Sequence, residues 1–171
     1  PYAQRGIPIV GLEPSCLLTL RDETLVMGLG DKAHVVAGQA LLFEEFIARE
    51  AKVGRFAATF KPVQQPILVH GHCHQKAFGA VSPLLDVLRL IPGANPKLIE
   101  SSCCGMAGSF GYEAEHFEVS MQMAELSLLP AVRAAPDAIV VADGTSCRHQ
   151  IADGAGREAV HVARVLAGQL G

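Results

Sequence analysis

The sequence predicts an α/β fold, a mostly parallel sheet with flanking helices and cysteine-bearing loops at the carboxyl ends of its strands. Three observations predict it. Apolar runs of strand length recur along the 171 residues, a helical pattern follows them, and the cysteines come shortly after these runs. Because the carboxyl ends of parallel strands meet at one edge of a sheet, we expect thiols carried there to share a site.

The first third of the chain contains one predicted strand and two predicted helices. The run IPIVGL at 7–12 is short, apolar and bounded by Gly and Pro, which is typical of a buried strand. Pro14 suits the first turn of the next helix. The segment GQALLFEEFIARE at 38–50 has apolar residues at helical spacing and predicts an amphipathic helix. Residues 51–66 lose this periodicity and predict a connecting segment.

The alternation resumes in the rest of the chain. Short runs rich in apolar residues, bounded by turn residues, predict three more strands, at 67–69, 97–100 and 138–141. Helical patterns follow at 81–91, 113–129, 146–151 and 162–170. Thr145 or Ser146 can cap the helix that begins near 146.

Composition excludes several classes of protein. Lys and Arg number 14 against 17 Asp and Glu, a net charge of −3 that argues against a nucleic-acid or anionic-membrane surface. No apolar run reaches the roughly 18 residues of a transmembrane segment. Five cysteines are an odd number, so a fully paired disulfide framework is excluded. We expect a reducing, cytoplasmic location in which clustered thiols serve a metal or redox site.

The pair Cys103-Cys104 is followed by a glycine-rich segment. Neighbouring side chains on a strand point to opposite faces, so both thiols can serve one site only from a turn. Residues 105–111 supply that turn, and we expect backbone N–H groups near Gly105 and Gly108 to face an anionic centre. The alternative is a turn that carries two buried, unliganded thiols.

Cys73 lies in the segment HGHCHQKA, between His72 and His74. A thiolate beside imidazoles suits zinc or iron, and Lys76 favours the ionised thiol. If the preceding strand continued through this segment, its histidines would face away from Cys73. Each histidine taken singly is more simply a hydrogen-bonded polar residue.

Cys147 and Cys16 each follow a strand and begin a helix. For Cys147, the helix dipole and Arg148 are both expected to lower the pKa of the thiol. Cys16 has a similar setting but no second cysteine nearby in the sequence. No C-x-x-C, G-x-G-x-x-G, Walker or G-x-S-x-G motif is present, so common zinc modules, nucleotide folds and hydrolases are not indicated.

These residues resemble the cysteine-rich CCG domain that occurs in heterodisulfide reductase and in the glycolate oxidase iron–sulfur subunit. The segments HGHCHQKA, SCCGMAGSFGYEAEH and DGTSCRHQI look closest to the carboxy-terminal region of fused FAD-linked dehydrogenases of the D-lactate and D-2-hydroxyglutarate type. The resemblance implies a complete repeat at 61–171 and, at 1–60, the tail of a preceding repeat with a connecting segment, packed as one globular unit.

The resemblance also implies a cofactor, its ligands and partners. It implies an iron–sulfur cluster of the [4Fe–4S] type, with Gly105, Gly108 and Ser146 tuning its charge and potential. The implied ligands are Cys73, Cys103, Cys104 and Cys147, with Cys16, His72 and His74 as weaker candidates. Gly144 stands where the family usually has a further cysteine. The implied partners are flavin and ferredoxin-like domains of a parent chain and a downstream electron acceptor.

A chain of this kind has no flavin or substrate site, since FAD belongs to another part of the parent. We therefore expect it to be inactive alone toward a hydroxy acid. We expect its location to be cytoplasmic, or peripheral to a membrane through the parent enzyme. We also expect apolar residues near 17–29 to be exposed, or to be covered by a second copy in a homodimer. Two alternatives stay open: a structural zinc site built from the same cysteines, and a metal-free docking or redox-sensing domain.

Overall fold

A computed structural model describes all 171 residues as two compact units, Pro1–Ala57 and Ala58–Gly171. The fold class predicted from the sequence is confirmed, because every named strand pairs in parallel and helices flank the strands. The assignment of 1–60 and 61–171 to two repeats stays a prediction.

The first unit is built on a pair of parallel strands, β1 (Ile9–Gly11) and β2 (Ala40–Leu42). Its buried apolar side chains include Leu17, Leu18 and Leu42. Four helices accompany the strands: α1 (Pro14–Leu18), α2 (Glu23–Val26), α3 (Asp31–Ala37) and α4 (Phe43–Lys52).

The helix predicted at 38–50 is partly wrong. Residues 40–42 form β2, which pairs with β1 in the register Ile9↔Ala40, and the helix begins only at Phe43. A three-residue apolar run cannot be told from a helical turn by periodicity, so strand pairing decided its structure. The Glu45 carboxylate accepts a hydrogen bond from the Leu42 N–H (2.8 Å) and fixes the start of α4.

The second unit contains a four-stranded parallel sheet in the order β4–β3–β5–β6. Its strands are β3 (Ile67–His70), β4 (Pro96–Leu98), β5 (Ile139–Ala142) and β6 (Ala159–Val160). Its helices are α5 (Cys73–Ala77), α6 (Val81–Leu88), α7 (Phe117–Glu125), α8 (Leu128–Arg133), α9 (Thr145–Ala155) and α10 (Val162–Gly168).

The prediction of one long helix at 113–129 is also wrong. The segment forms one short 3-10 turn, Ala114–His116, followed by α7 and α8, and another 3-10 turn, Phe110–Tyr112, precedes it. The two helices let the chain fold back, so that Leu128 and Val132 of α8 pack with Val140 of β5 in one core cluster. Tertiary packing therefore outweighed a continuous helical pattern.

The strand order places a switch point between β3 and β5. The chain leaves β3 on one side to form β4 and returns to the other side of β3 to form β5. Connections that leave in opposite directions open a crevice at the carboxyl ends of the two strands. The segments that follow β3 and β5 are those that carry Cys73 and Cys147.

Candidate metal centre

Three loops of the second unit bring four thiols together. Cys73 is the first residue of α5, just beyond β3, and Cys147 is the third residue of α9, beyond β5. Cys103 and Cys104 lie in the loop beyond β4. All four are free thiols; Cys104 and Cys147 are buried, and Cys73 and Cys103 are partly exposed.

The four thiols form a continuous row. The Sγ atoms of Cys104 and Cys147 lie 3.4 Å apart in the interior. Cys103 is in hydrogen-bonding contact with Cys104 on one side and with Cys73 on the other. An inner pair, Cys104 and Cys147, thus continues into an outer pair, Cys73 and Cys103, that solvent reaches.

Sharing hydrogen bonds splits the pKa values of neighbouring thiols. Hydrogen bonds with Cys104 and Cys73 hold the pKa of Cys103 far below its ordinary value, and backbone N–H groups add to this. The pKa of Cys147 falls to about 5, chiefly through Cys104 and against burial, with the imidazoles of His70 and His72 contributing. Arg148, which the sequence predicts to lower this pKa, is not among the principal causes of the shift.

The other two thiols shift the opposite way. The hydrogen bond with Cys103 raises the pKa of Cys73, and Lys76 only partly opposes this. Contacts with Cys103 and Cys147, together with burial, raise the pKa of Cys104. The pKa shifts therefore alternate along the row, lowered for Cys103 and Cys147 and raised for Cys73 and Cys104. A tetrathiolate ligand set forms once all four thiols have lost their protons.

The turn after the cysteine pair directs backbone donors at the sulfurs. The Gly105 N–H donates to Cys103 Sγ at 3.3 Å, and the Met106 and Ala107 N–H groups lower the pKa values of Cys104 and Cys103 respectively. Gly105 has φ 95°, and a Cβ there would collide with the Ser120 carbonyl oxygen. Only glycine fits this position, which lets the chain reverse directly behind the two thiols.

A buried amide supports this turn from α9. Gln150 Nε2 donates to the Ser120 carbonyl oxygen (2.9 Å) and lies 3.0 Å from its hydroxyl. Ser120 is on α7, and its main chain packs against Gly105. Gln150 therefore ties the helix that carries Cys147 to the element behind the cysteine pair.

A second buried amide joins the loops after β3 and β5. Gln75 Oε1 accepts a hydrogen bond from the His72 N–H, and its Nε2 donates to Asp143 Oδ2; both distances are 2.9 Å. The other carboxylate oxygen of Asp143 accepts from the Val162 N–H at 3.0 Å. Burial raises the pKa of Asp143, against the pull of His161 and these donors. This network fixes the spacing of the segments that carry Cys73 and Cys147.

Lys76 makes the third link, between α5 and the loop of the cysteine pair. Its ammonium donates to the carbonyl oxygens of Ser101 (2.5 Å) and Ser102 (2.7 Å). Its principal contacts are therefore with backbone carbonyl groups. Its lowering of the Cys73 pKa is smaller than the raising by Cys103.

The fully buried side chain of His70 ends β3. Its Nδ1 lies 2.9 Å from Ser101 Oγ, and its Nε2 is buried and makes no well-formed hydrogen bond, although the imidazole interacts with the Cys147 thiol and lowers its pKa. A ring nitrogen of His70 and the sulfurs of Cys104 and Cys147 all lie within 4.8 Å of one another. An unsatisfied polar atom buried in this way costs about 1–3 kcal/mol, so it indicates a ligand position.

Sequence reasoning considered the neighbouring histidines and did not single out His70. The half-buried His72 uses its ring to cap α5, where it accepts the His74 N–H at 3.2 Å. His74 Nδ1 is buried without a partner, but His74 is not in the group of three ligand atoms. The signal available from sequence was a polar residue at the very end of an apolar strand.

The remaining candidates have weaker settings. Cys16 is exposed and belongs to the first unit, as the third residue of α1. Gly108 is exposed, with open space around its Cα. The capping residue of α9 is Gly144, not Thr145 or Ser146 as expected, and it makes no side-chain cap. Glycine fits there because a Cβ would collide with the His72 ring.

The fold and site together define a cysteine-rich parallel α/β protein with a buried thiol and imidazole group that could hold a metal ion. No family model matches the chain, and no solved structure matches it. No helix is both long enough and apolar enough to cross a membrane.

Curated dehydrogenases do match it. The chain is 28% identical over 148 residues to one subunit of the anaerobic glycerol-3-phosphate dehydrogenase of Escherichia coli, covering 86% of this chain and 36% of that protein. It is 32% identical over 151 residues to D-2-hydroxyglutarate dehydrogenase of Escherichia coli, covering 87% of this chain and 14% of that enzyme. The Pantoea ananatis enzyme of that name is 29% identical over 153 residues. The chain thus spans a minor part of each relative.

Proposed function

We propose that this chain is an iron–sulfur-binding, electron-transfer module of a flavin-linked dehydrogenase, with Cys73, Cys103, Cys104 and Cys147 as its metal ligands. The observation that carries the proposal is the continuous row of four free thiols at the switch point of a parallel sheet. Four thiolates are the ordinary ligand set of a [4Fe–4S] cluster.

The similarity to two kinds of dehydrogenase supports electron transfer over substrate binding. One relative is named for glycerol 3-phosphate and the other for D-2-hydroxyglutarate, yet most of this chain aligns with each. A segment shared by enzymes for different alcohols fits a step common to both, the removal of electrons after substrate oxidation. Substrate and flavin sites are assigned to other parts of the parent, together with a ferredoxin-like domain.

The residues around the thiols have defined roles in this function. The N–H groups from Gly105 to Ala107 place partial positive charge at the inner and outer sulfurs, which favours the more negative, reduced state of a bound group. Gln75, Lys76 and Gln150 hold the loops at fixed separations. When bound, an iron–sulfur cluster supplies one-electron redox chemistry. The outer thiols, which solvent reaches, give the shortest path to an electron acceptor.

We also propose that 61–171 is a complete cysteine-rich repeat and 1–60 the tail of a preceding one. Two segments support this by sharing an element order. In each, a strand leads into a helix whose third residue is a cysteine, and a parallel partner strand follows later: Cys16 after β1 and Cys147 after β5. The repeats would belong to one cytoplasmic or membrane-peripheral parent enzyme.

Reconstitution tests the electron-transfer proposal directly. The metal-free chain is incubated anaerobically with iron and sulfide, and iron, sulfide and the EPR spectrum of the reduced sample are measured. We expect a reducible cluster in the wild type and in Cys16→Ser, and its loss in Cys104→Ser. A folded wild-type chain that takes up no iron and sulfide contradicts the proposal.

A zinc site is the second candidate, and one distance favours it. Two thiolates on a tetrahedral zinc ion lie about 3.8 Å apart, given Zn–S bonds of about 2.3 Å. The inner sulfurs are 3.4 Å apart, close to that value. A cluster needs wider spacing because each thiolate binds a different iron. Stoichiometric zinc that survives iron and sulfide treatment, with no EPR signal after reduction, would support this candidate.

A further inference from the structure

His70 presents an unused ring nitrogen at the inner pair of thiols. The side chain is fully buried, its Nε2 makes no well-formed hydrogen bond, and a ring nitrogen lies within 4.8 Å of Cys104 Sγ and Cys147 Sγ. A buried imidazole usually satisfies both nitrogens, so one whose second nitrogen faces free thiols without a well-formed hydrogen bond is suited to bind a metal ion there.

The opposite edge of the ring is already held. Nδ1 lies 2.9 Å from Ser101 Oγ, in the loop that leads to the cysteine pair. Metal-binding histidines commonly donate their second ring N–H to an oxygen, which fixes the ring and leaves a lone pair on the other nitrogen. The hydrogen bond to Ser101 supplies that arrangement and presents Nε2 as the donor atom.

We propose that His70 Nε2 is a nitrogen ligand of the metal centre, on the same face as Cys104 and Cys147. The inference deepens the proposed function and rests on it only in requiring that a metal binds at these thiols. In a single zinc site, His70 would bind beside Cys104 and Cys147. In a [4Fe–4S] cluster, which offers four ligand positions, it would take the place of one of the four thiolates, since imidazole binds both metals.

His72 and His74 provide the comparison on the same segment. His72 caps α5 through its ring, and His74 lies outside the group of three ligand atoms. Variants at these positions leave His70 in place. His72→Asn retains a side-chain acceptor for the cap, since Asn is a preferred capping residue.

Loading with Co²⁺ alone tests the ligand assignment. The full 171-residue chain is loaded anaerobically, and X-ray absorption at the cobalt edge counts imidazole and sulfur ligands. We expect one imidazole in the wild type, in His72→Asn and in His74→Ala, and none in His70→Ala. The Co²⁺ affinity of His70→Ala should fall by about 10- to 100-fold or more. If His70→Ala does not fold, retention of the imidazole in the other two variants still excludes His72 and His74 and leaves His70 as the remaining histidine of this segment.

The outcomes separate this inference from the proposed function. Pulsed EPR of the reconstituted, [15N]histidine-labelled chain looks for a directly bonded nitrogen on the cluster. A cluster with no bonded histidine nitrogen, or an imidazole that disappears in His72→Asn or His74→Ala, overturns the His70 assignment alone. Co²⁺ bound with imidazole in a chain that assembles no cluster overturns the electron-transfer proposal alone. A chain that binds neither probe overturns both.

Discussion

Cys16 and Cys147 occupy the same local position in the two units but have opposite surroundings. Each is the third residue of a helix that follows a strand of a parallel pair. Cys16 is exposed, whereas Cys147 is 1% exposed, contacts Cys104 and lies beside His70. A strand followed by a helix that carries a thiol is therefore not sufficient for a metal site. The other three thiols come from the loops after β3 and β4.

The residue after each strand shows the same contrast. Asp143 follows β5, is buried and accepts hydrogen bonds from Gln75 and Val162. Leu12 follows β1 and is 54% exposed. Where the first unit has an apolar surface residue, the second unit has a buried carboxylate. Its hydrogen bond with Gln75 connects the loops that carry Cys73 and Cys147.

The largest effects, similar in size, are expected from Gly105→Ala and from Asp143→Leu. In Gly105→Ala, the new Cβ meets the Ser120 carbonyl oxygen, and φ 95° strains any side chain, so we expect a loss of about 2–4 kcal/mol in the free energy of unfolding. Gly108→Ala is the matched control, with φ 70° but open space, and should cost about 1 kcal/mol. Urea unfolding measures both. Equal losses would show that packing behind the thiols is not tight.

Asp143→Leu makes the second unit resemble the first at this position. It leaves Gln75 Nε2 and the Val162 N–H buried without an acceptor, and we expect a loss of about 2–4 kcal/mol. The reciprocal change, Leu12→Asp, lies on the surface and should stay within about 0.5 kcal/mol. Both are measured by urea unfolding. If Asp143→Leu left the free energy of unfolding unchanged, the hydrogen bonds of Asp143 would not be what holds the loops together.

A pH dependence should separate Cys147 from Cys16. The pKa of Cys147 is about 5 in the folded state and its ordinary value is 9.0, so the folded state binds fewer protons between these values. Its contribution to stability is present above about pH 9 and is lost as pH falls toward 5. In metal-free protein, the destabilisation caused by Cys147→Ser should therefore grow from pH 5 to pH 9. Urea midpoints across this range measure it, with Cys16→Ser as control.

Alkylation should have the smallest effect on stability. Brief treatment of the metal-free chain with iodoacetamide should modify exposed Cys16 before Cys104 and Cys147, which burial protects. Modification of Cys16 should change the free energy of unfolding by less than about 0.5 kcal/mol. Peptide mass spectrometry gives the order of labelling. Cys147 reacting before Cys16 would contradict the burial that distinguishes them.

The placement of the thiols could be predicted because it depends on short-range signals. Apolar runs before Cys73, Cys103 and Cys147 mark strands, and parallel strands bring their carboxyl ends to one edge. The strand at 40–42 could not be predicted, because its three residues read equally well as a helical turn and only pairing with β1 decides. The break between α7 and α8 likewise depends on packing against β5.

The site was predictable to a smaller extent. The sequence predicts a turn at 105–111 with N–H groups facing the site, and the N–H groups of Gly105, Met106 and Ala107 do act on the sulfurs. His70 was not singled out because its role depends on burial and on Ser101, a residue far along the chain. Gln75 and Gln150 were missed for a similar reason: their amides join segments whose distance apart no local pattern encodes.

The strand order of the second unit also bears on how a metal would act on folding. The thiols come from loops after β3, β4 and β5, which are distant in sequence and meet only when the sheet has formed. An ion bound to them would work as a removable cross-link across most of this unit. It would bind the folded chain far better than the unfolded one, raising stability with metal concentration. The metal-free and metal-bound chains should therefore differ in their lifetime against proteases.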